Sequence, residues 1–225
     1  MLLLFDIDGT LLIRATDDHR DAVHAALRRV WHVPHPEAAR VEAAGRTDPE
    51  IARAILLQSG VSADRIDAGM VDFKRAAGEA YAQLCRSDLG AFVAPGVAEL
   101  LEELASRPGL RLALVTGNLE PIARLKLARA GIGTFFEHGQ GGFGSDHEDR
   151  TELPAIARAR AGVRRGAPYP REQTVIIGDT PLDIACARAD GVRCFAVTTG
   201  SYGADDLAGA DAVVASASEL LPLLV

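Results

Sequence analysis

Four short apolar runs, each giving way to a polar cluster, organise the chain. Residues 2–5 read Leu-Leu-Leu-Phe and lead into Asp6-Ile7-Asp8-Gly9-Thr10. Residues 110–115 lead into Thr116-Gly117-Asn118, residues 174–177 into Gly178-Asp179-Thr180-Pro181, and residues 192–197 into Thr198-Thr199-Gly200. Continuous rather than alternating hydrophobicity predicts strands covered on both faces, as in a parallel sheet. Helical patterns at 121–130 and 181–189 lie between these runs and predict βαβ units.

The interval 15–91 breaks this rhythm. Residues 18–30, 49–58 and 63–86 carry helical patterns with no convincing strand between them. Ala94-Pro95-Gly96 then marks a loop before a helix at 97–106. The strand at 2–5 must rejoin the later strands, so the helical block is an insertion rather than a separate N-terminal domain. The expected architecture is α/β: a Rossmann-like parallel-sheet core made of residues 1–14 and 92–225, with residues 15–91 as an inserted α-helical cap. In such a sheet the polar clusters converge on the edge where the strands end, and ligands bind there.

Composition narrows the function. The 225 residues suffice for one core plus an inserted subdomain. A net charge of −7 and the lack of a basic run argue against nucleic acid as a partner. The first apolar run is broken by Asp6 and Asp8 and has no cationic start, which argues against a signal peptide or a membrane span. Cys85, Cys186 and Cys194 lack metal-type spacing and read as reduced, buried thiols of a cytoplasmic protein. Of the 24 basic residues only Lys74 and Lys126 are lysines, so a lone arginine must be weighed against an arginine-rich background.

Two carboxylates two residues apart on extended backbone point the same way. Their repulsion makes sense if a cation or a shared proton holds Asp6 and Asp8 together. In chain order the polar clusters supply Asp6/Asp8, Thr116, Arg150 and Asp179/Asp183. The motifs Asp6-Ile-Asp8-Gly-Thr10-Leu11, Val115-Thr116-Gly117-Asn118 and Gly178-Asp179-Thr-Pro-Leu-Asp183 resemble the haloacid dehalogenase superfamily over nearly the whole chain. The likeness is to its phosphatase branch, phosphoglycolate-phosphatase-like, with a helical cap after the first strand.

The resemblance implies Asp6 as nucleophile on phosphorus and Asp8 as general acid and base. It also implies Mg²⁺ held by Asp6, the backbone carbonyl of Asp8 and Asp179, with Asp183 binding a metal water or orienting Asp179. The Thr116 hydroxyl and the amides of Gly117 and Asn118 would take phosphoryl oxygens, alongside a turn or helix-capping role. Where the family usually has lysine, this chain offers Arg150 within Asp149-Arg150-Thr151-Glu152-Leu153-Pro154. Arg150 would neutralise phosphate and Asp6; the alternative is a surface residue at a helix start. Lys126, on the helix after Thr116, is expected to be solvated.

In the cap, Asp48-Pro49 is a helix start, and Arg46 is a candidate contact for an anionic substrate group. His32 and His35 read as a loop, and residues 146–149 as a solvated acidic loop. Residues 140–144 are glycine-rich but lack a dinucleotide fingerprint's context. The reading is a Mg²⁺-dependent hydrolase of a small phosphorylated metabolite acting through an aspartyl-phosphate, as a monomer or homodimer. Two alternatives stay open: a phosphomutase of the β-phosphoglucomutase type, and a non-catalytic phosphate-ligand-binding module.

Overall fold

Leu2–Phe5 forms β1 at the centre of a six-stranded sheet, with all four side chains buried. The structure is a computed structural model that describes residues 1–224. Three helices follow β1: α1 (Asp17–Trp31), α2 (Asp48–Gln58) and α3 (Ala63–Leu84). Then come α4 (Val97–Ala105), β2 (Arg111–Thr116), α5 (Glu120–Arg129), β3 (Gly142–Phe143), α6 (Leu153–Gly162), β4 (Thr174–Gly178), α7 (Pro181–Asp190), β5 (Arg193–Val197), β6 (Ala212–Val214) and α8 (Leu221–Leu224).

All pairings are parallel, and the strand order is β3-β2-β1-β4-β5-β6. The chain builds outward from β1 to one side through β2 and β3, and to the other through β4, β5 and β6. β1 and β4 therefore flank the point where the strand order reverses, which is where open α/β sheets leave a crevice for ligands. Phe5 pairs with Ile177, so Asp6 and Asp179 leave adjacent strands at nearly the same height.

The pleat divides the core. Leu3 and Phe5 pack on the side that also carries the buried residues of α1 to α5. Leu2 and Leu4 join Ala113, Val115 and Ile176 against α6 and α7. Each such buried Leu, Ile, Val or Phe side chain contributes about 1.5–3 kcal/mol, and burial on both faces explains the unbroken apolar runs.

Two strands escape the periodicity. β3 has only two residues and sits in the glycine-rich stretch, where a Cβ on Gly142 would fall 2.3 Å from the Leu153 carbonyl oxygen. β6 is a half-buried edge strand of three residues. Short strands are a common way to blunt a sheet edge, and they carry little pattern.

The helices of the inserted segment pack on one another, with α1 along α3. The Trp31 and Phe73 rings lie 6.0 Å apart, and Trp31 Nε1 donates to the Arg65 carbonyl. Among the described residues, no helix is long and apolar enough to cross a membrane. The three cysteines are buried and unpaired.

Candidate active site

The ends of β1, β2 and β4 frame the floor of a cavity of about 650 Å³. Asp6, Asp8, Asn118, Arg150 and Asp179 line that floor; Arg46, His19, His24 and Ile51 come from the inserted helical segment. Asp6, Asp8, Asn118 and Asp179 owe their positions to strands running out, whereas Arg150 opens the single turn Arg150–Glu152 before α6. The Asp6 amide extends the ladder by one bond to the Ile177 carbonyl (2.9 Å), after which Gly9 turns the chain at φ +91°. A Cβ on Gly9 would come within 2.1 Å of Asp179 Oδ2, so glycine is required both for the turn and for the approach.

Asp6, Asp179 and Asp183 present carboxylate oxygens within 4.8 Å of one another, and all three are buried. Arg150 sits among them, its Nη2 3.1 Å from Asp6 Oδ1 and 2.5 Å from Asp183 Oδ1. Its exposure of 5% rules out the surface alternative considered from sequence. Thr10 Oγ1 donates to Asp179 Oδ1 at 3.0 Å. Asp183 belongs to a capping box at the start of α7: its Oδ2 accepts from the Thr180 amide and hydroxyl, and the Asp183 amide donates back to Thr180 Oγ1. With Oδ1 on Arg150, both Asp183 oxygens have protein partners, which suits it to orienting its neighbours.

Three carboxylates share one guanidinium here, and the charge imbalance shows in their proton affinities. Burial, with Asp183 and Asp8 adding to it against the pull of Arg150, raises Asp6 to about 7. Burial and the charges of Asp6 and Asp183 raise Asp179 to about 8. The cluster thus lacks positive charge and consists only of hard oxygen donors, the chemistry that suits Mg²⁺.

Asp8 is held differently. Its carboxylate turns away from the cluster to Lys126 Nζ, at 2.8 Å from Oδ1 and 2.6 Å from Oδ2, and Oδ2 also accepts from Asn118 Nδ2 at 2.9 Å. Burial by itself would raise Asp8, but the Lys126 ammonium and these hydrogen bonds outweigh it, and the net shift is downward. Any share of Asp8 in metal binding therefore falls to its backbone carbonyl.

The expectation that Lys126 is solvated is corrected: its side chain is fully buried. Its ammonium also meets His19 Nδ1 at 3.0 Å, and His19 Nε2 meets Asp48 Oδ2 at 3.0 Å. That Asp48 oxygen also accepts from the Leu119 amide at 2.8 Å. Asp48 is thus more than a helix start; Thr47 is the N-cap of α2, its hydroxyl accepting from the Glu50 amide. A signal for Lys126 existed. The buried residues of α5 are Ile122, Ala123, Lys126 and Leu127, a spacing that puts the lysine on the core face.

The remaining predicted residues divide. Thr116 Oγ1 accepts from the Asn118 amide and from Asn118 Nδ2, so the turn-capping reading of Thr116 holds. Thr116 and Gly117 do not border the cavity, whereas Asn118 and Arg150 do. Gly117 instead lies under the inserted segment: a Cβ there would be 2.0 Å from the Arg46 carbonyl oxygen, and its own carbonyl accepts from the Asp48 amide at 2.9 Å. Arg46 borders the cavity with its guanidinium on Glu50 at 2.5 Å. The acidic stretch 146–149 is not merely solvated, since Asp146 pairs with Arg160 and Glu148 with Arg53. His32 and His35 lie in the loop after α1, as expected.

Comparison with known proteins agrees with this geometry. The family model for haloacid dehalogenase-like hydrolases matches residues 3–188. A phosphoglycolate phosphatase of Pseudomonas savastanoi pv. phaseolicola is 30% identical over 206 residues, covering 90% of this chain and 70% of that protein. Protein CbbY of Cereibacter sphaeroides is 28% identical over 226 residues, covering 97% and 93%. The solved structure of CbbY from Rhodobacter sphaeroides in complex with phosphate shares the fold at a TM-score of 0.66, with 24% identity over 97% of this chain and 95% of that one. The chain belongs to the haloacid dehalogenase-like hydrolase family and is a phosphatase-like enzyme of it.

Proposed function

We propose that the chain hydrolyses a small-molecule phosphate monoester of the cytoplasm through an aspartyl-phosphate on Asp6, with Mg²⁺ as cofactor. The observation that carries this reading is the division of labour between the two carboxylates at the cavity floor: Asp6 lies in the cluster beside Arg150, and Asp8 lies apart on its own cation, Lys126. The likeness to a phosphoglycolate phosphatase supports the phosphomonoester class.

In the first step an Asp6 oxygen bonds to phosphorus as the P–O bond to the alcohol breaks. The bonding pair stays on the leaving oxygen, and Asp8 gives it a proton. In the second step Asp8 takes a proton from a water that attacks phosphorus; the Asp6–phosphorus bond breaks, and phosphate leaves with both carboxyl groups restored. Asp8 rests as a carboxylate, the form the second step needs. The arriving phosphate is a like charge that raises its proton affinity for the first. Arg150 neutralises phosphoryl charge and Asp6 together. Asn118, bordering the cavity, contacts the phosphoryl group; Thr116 and Gly117 hold the turn that carries it.

Asp6, Asp179 and the Asp8 carbonyl would hold Mg²⁺, with Asp183 orienting the site. The ion would offset the repulsion between phosphate and carboxylates and withdraw charge from phosphorus. Residues 15–91 act as a cap that closes the cavity over the substrate, with Arg46 exchanging Glu50 for an anionic substrate group.

The test is release of inorganic phosphate from 4-nitrophenyl phosphate. Turnover is expected with Mg²⁺ and a fall of at least ~100-fold with chelator; equal rates in both would remove the metal from the reading. Transfer of phosphate back to a sugar phosphate, without its release, would favour the mutase.

The raised values of Asp6 and Asp179 also fix a stability trend. An acid that binds its proton more tightly when folded stabilises the fold below its unfolded value and loses that contribution as pH rises. The metal-free chain is therefore expected to lose thermal stability between about pH 4 and pH 8. Mg²⁺ should raise Tm more at pH 8 than at pH 5, which calorimetry at the two pH values would read directly.

A further inference from the structure

We infer that Lys126 is a positioning residue for Asp8: by gripping both carboxylate oxygens it locks the orientation in which Oδ1 faces the leaving group, and it is itself held from the inserted helical segment by His19 and Asp48. This rests on the phosphatase reading above, in which Asp8 is the general acid and base.

The hydrogen-bond count makes the argument. An ionised carboxylate offers about four lone-pair positions, two on each oxygen. Asp8 Oδ2 uses both, accepting from Lys126 at 2.6 Å and from Asn118 Nδ2 at 2.9 Å. Oδ1 accepts from Lys126 alone, at 2.8 Å, and keeps one position free. The proton that moves to and from the leaving oxygen therefore belongs on Oδ1. Asn118 makes the oxygens unequal, and Lys126, gripping both at once, prevents the group from rotating about χ2.

Lys126 in turn has no freedom. Its side chain is fully buried on the core face of α5, beside Ile122 and Leu127. Its remaining proton points at His19 Nδ1, 3.0 Å away. Because an ammonium can only donate, His19 Nδ1 accepts and Nε2 carries the hydrogen given to Asp48 Oδ2. Tyr81 of α3 packs its ring edgewise on His19, with centroids 5.8 Å apart. Asp48 is fastened to the core by the Leu119 amide. An unbroken line of hydrogen bonds, buried from Lys126 onward, thus runs from the catalytic carboxylate through α5 and α1 to the first residue of α2. A fully buried ammonium is costly unless every proton is used. A methionine would fill the same volume at less cost if packing were all that the position required.

The role is separable from a structural one by leaving group. 4-Nitrophenolate departs with little need of a proton, whereas the phenolate of phenyl phosphate needs one. A misplaced general acid therefore slows phenyl phosphate far more, while a loosened fold slows both alike. In Lys126→Met, kcat/KM is expected to fall ~100-fold or more on phenyl phosphate, the lower range for a general acid, and at least ~10-fold less than that on 4-nitrophenyl phosphate. If Lys126→Met does not fold, Lys126→Arg keeps a cation with a different reach and should show the same ordering in milder form. Equal losses on the two esters, or none, in the folded variant overturn the proposal. Asp8→Asn is run in parallel. If it lacks the leaving-group dependence, the acid role of Asp8 fails; if it shows it and the Lys126 variants do not, only the positioning role of Lys126 fails. A wild-type chain that hydrolyses neither ester overturns both.

Discussion

Asp6→Asn is expected to abolish turnover while leaving the fold intact or more stable. The amide is nearly the same size as the carboxylate, so nothing in the packing around β1 has to move. What disappears is the nucleophile, and losing the group that forms the covalent intermediate typically costs about 10⁴-fold or more in kcat. The stability effect has the opposite sign because Asp6 is held in an environment that resists its charge, with a proton affinity raised to about 7 mainly by burial. Above that value the metal-free protein must bear an ionised Asp6 beside Asp179 and Asp183. Asparagine removes that repulsion, so Tm should rise at pH 8, and the gain should shrink toward pH 4, where the unfolded chain binds the proton as well. Steady-state kinetics and thermal melts at the two pH values check both halves. Substantial residual turnover would end the nucleophile assignment. A large drop in Tm would mean that Asp6 is chiefly structural.

Arg150→Ala carries the second large effect, on stability and rate together. Arg150 is the buried cation paired with Asp6 and Asp183. Removing it leaves buried carboxylates without their partner, a change that costs about 3–5 kcal/mol in comparable buried pairs. The rate should fall about 10²–10³-fold, the usual consequence of removing one preorganised donor from developing charge. Lysine at this position would restore the charge but not the planar guanidinium whose Nη2 now meets both carboxylates, so Arg150→Lys should lie between the two. Urea unfolding with and without Mg²⁺, alongside kcat and KM, separates the contributions. A divalent ion should recover part of the lost stability and little of the rate. Wild-type behaviour of Arg150→Ala would move the phosphate-neutralising role elsewhere.

Both predictions turn on a feature that sequence shows only in outline. The motif order around Asp6, Asp179 and Arg150 was enough to nominate the residues. That Arg150 sits between Asp6 and Asp183, rather than on the surface of an arginine-rich chain, was open at that level. The capping box shows the same limit at finer grain. Thr180 and Asp183 are three residues apart, a spacing visible in the chain, yet that the capping carboxylate gives its other oxygen to Arg150 depends on the turn Arg150–Glu152 being packed against α7.

The strands β1, β2, β4 and β5, the helices of the inserted segment and the convergence of polar clusters at one sheet edge were legible without coordinates. Their signals are local: continuous hydrophobicity, helical periodicity, and turn residues at the strand ends. β3 and β6 were not, because two or three residues at a sheet edge carry no periodic pattern. Lys126 was misread because the chemistry of a lysine argues for water, and only an acceptor brought from far along the chain reverses that. Asp8 lies 118 residues away in sequence and His19 107. Local pattern records what each segment buries. Which charges come to face one another in the low-dielectric interior is settled by how β1, α1, α2 and α5 pack, and that packing converts a solvated lysine into the fixed partner of Asp8.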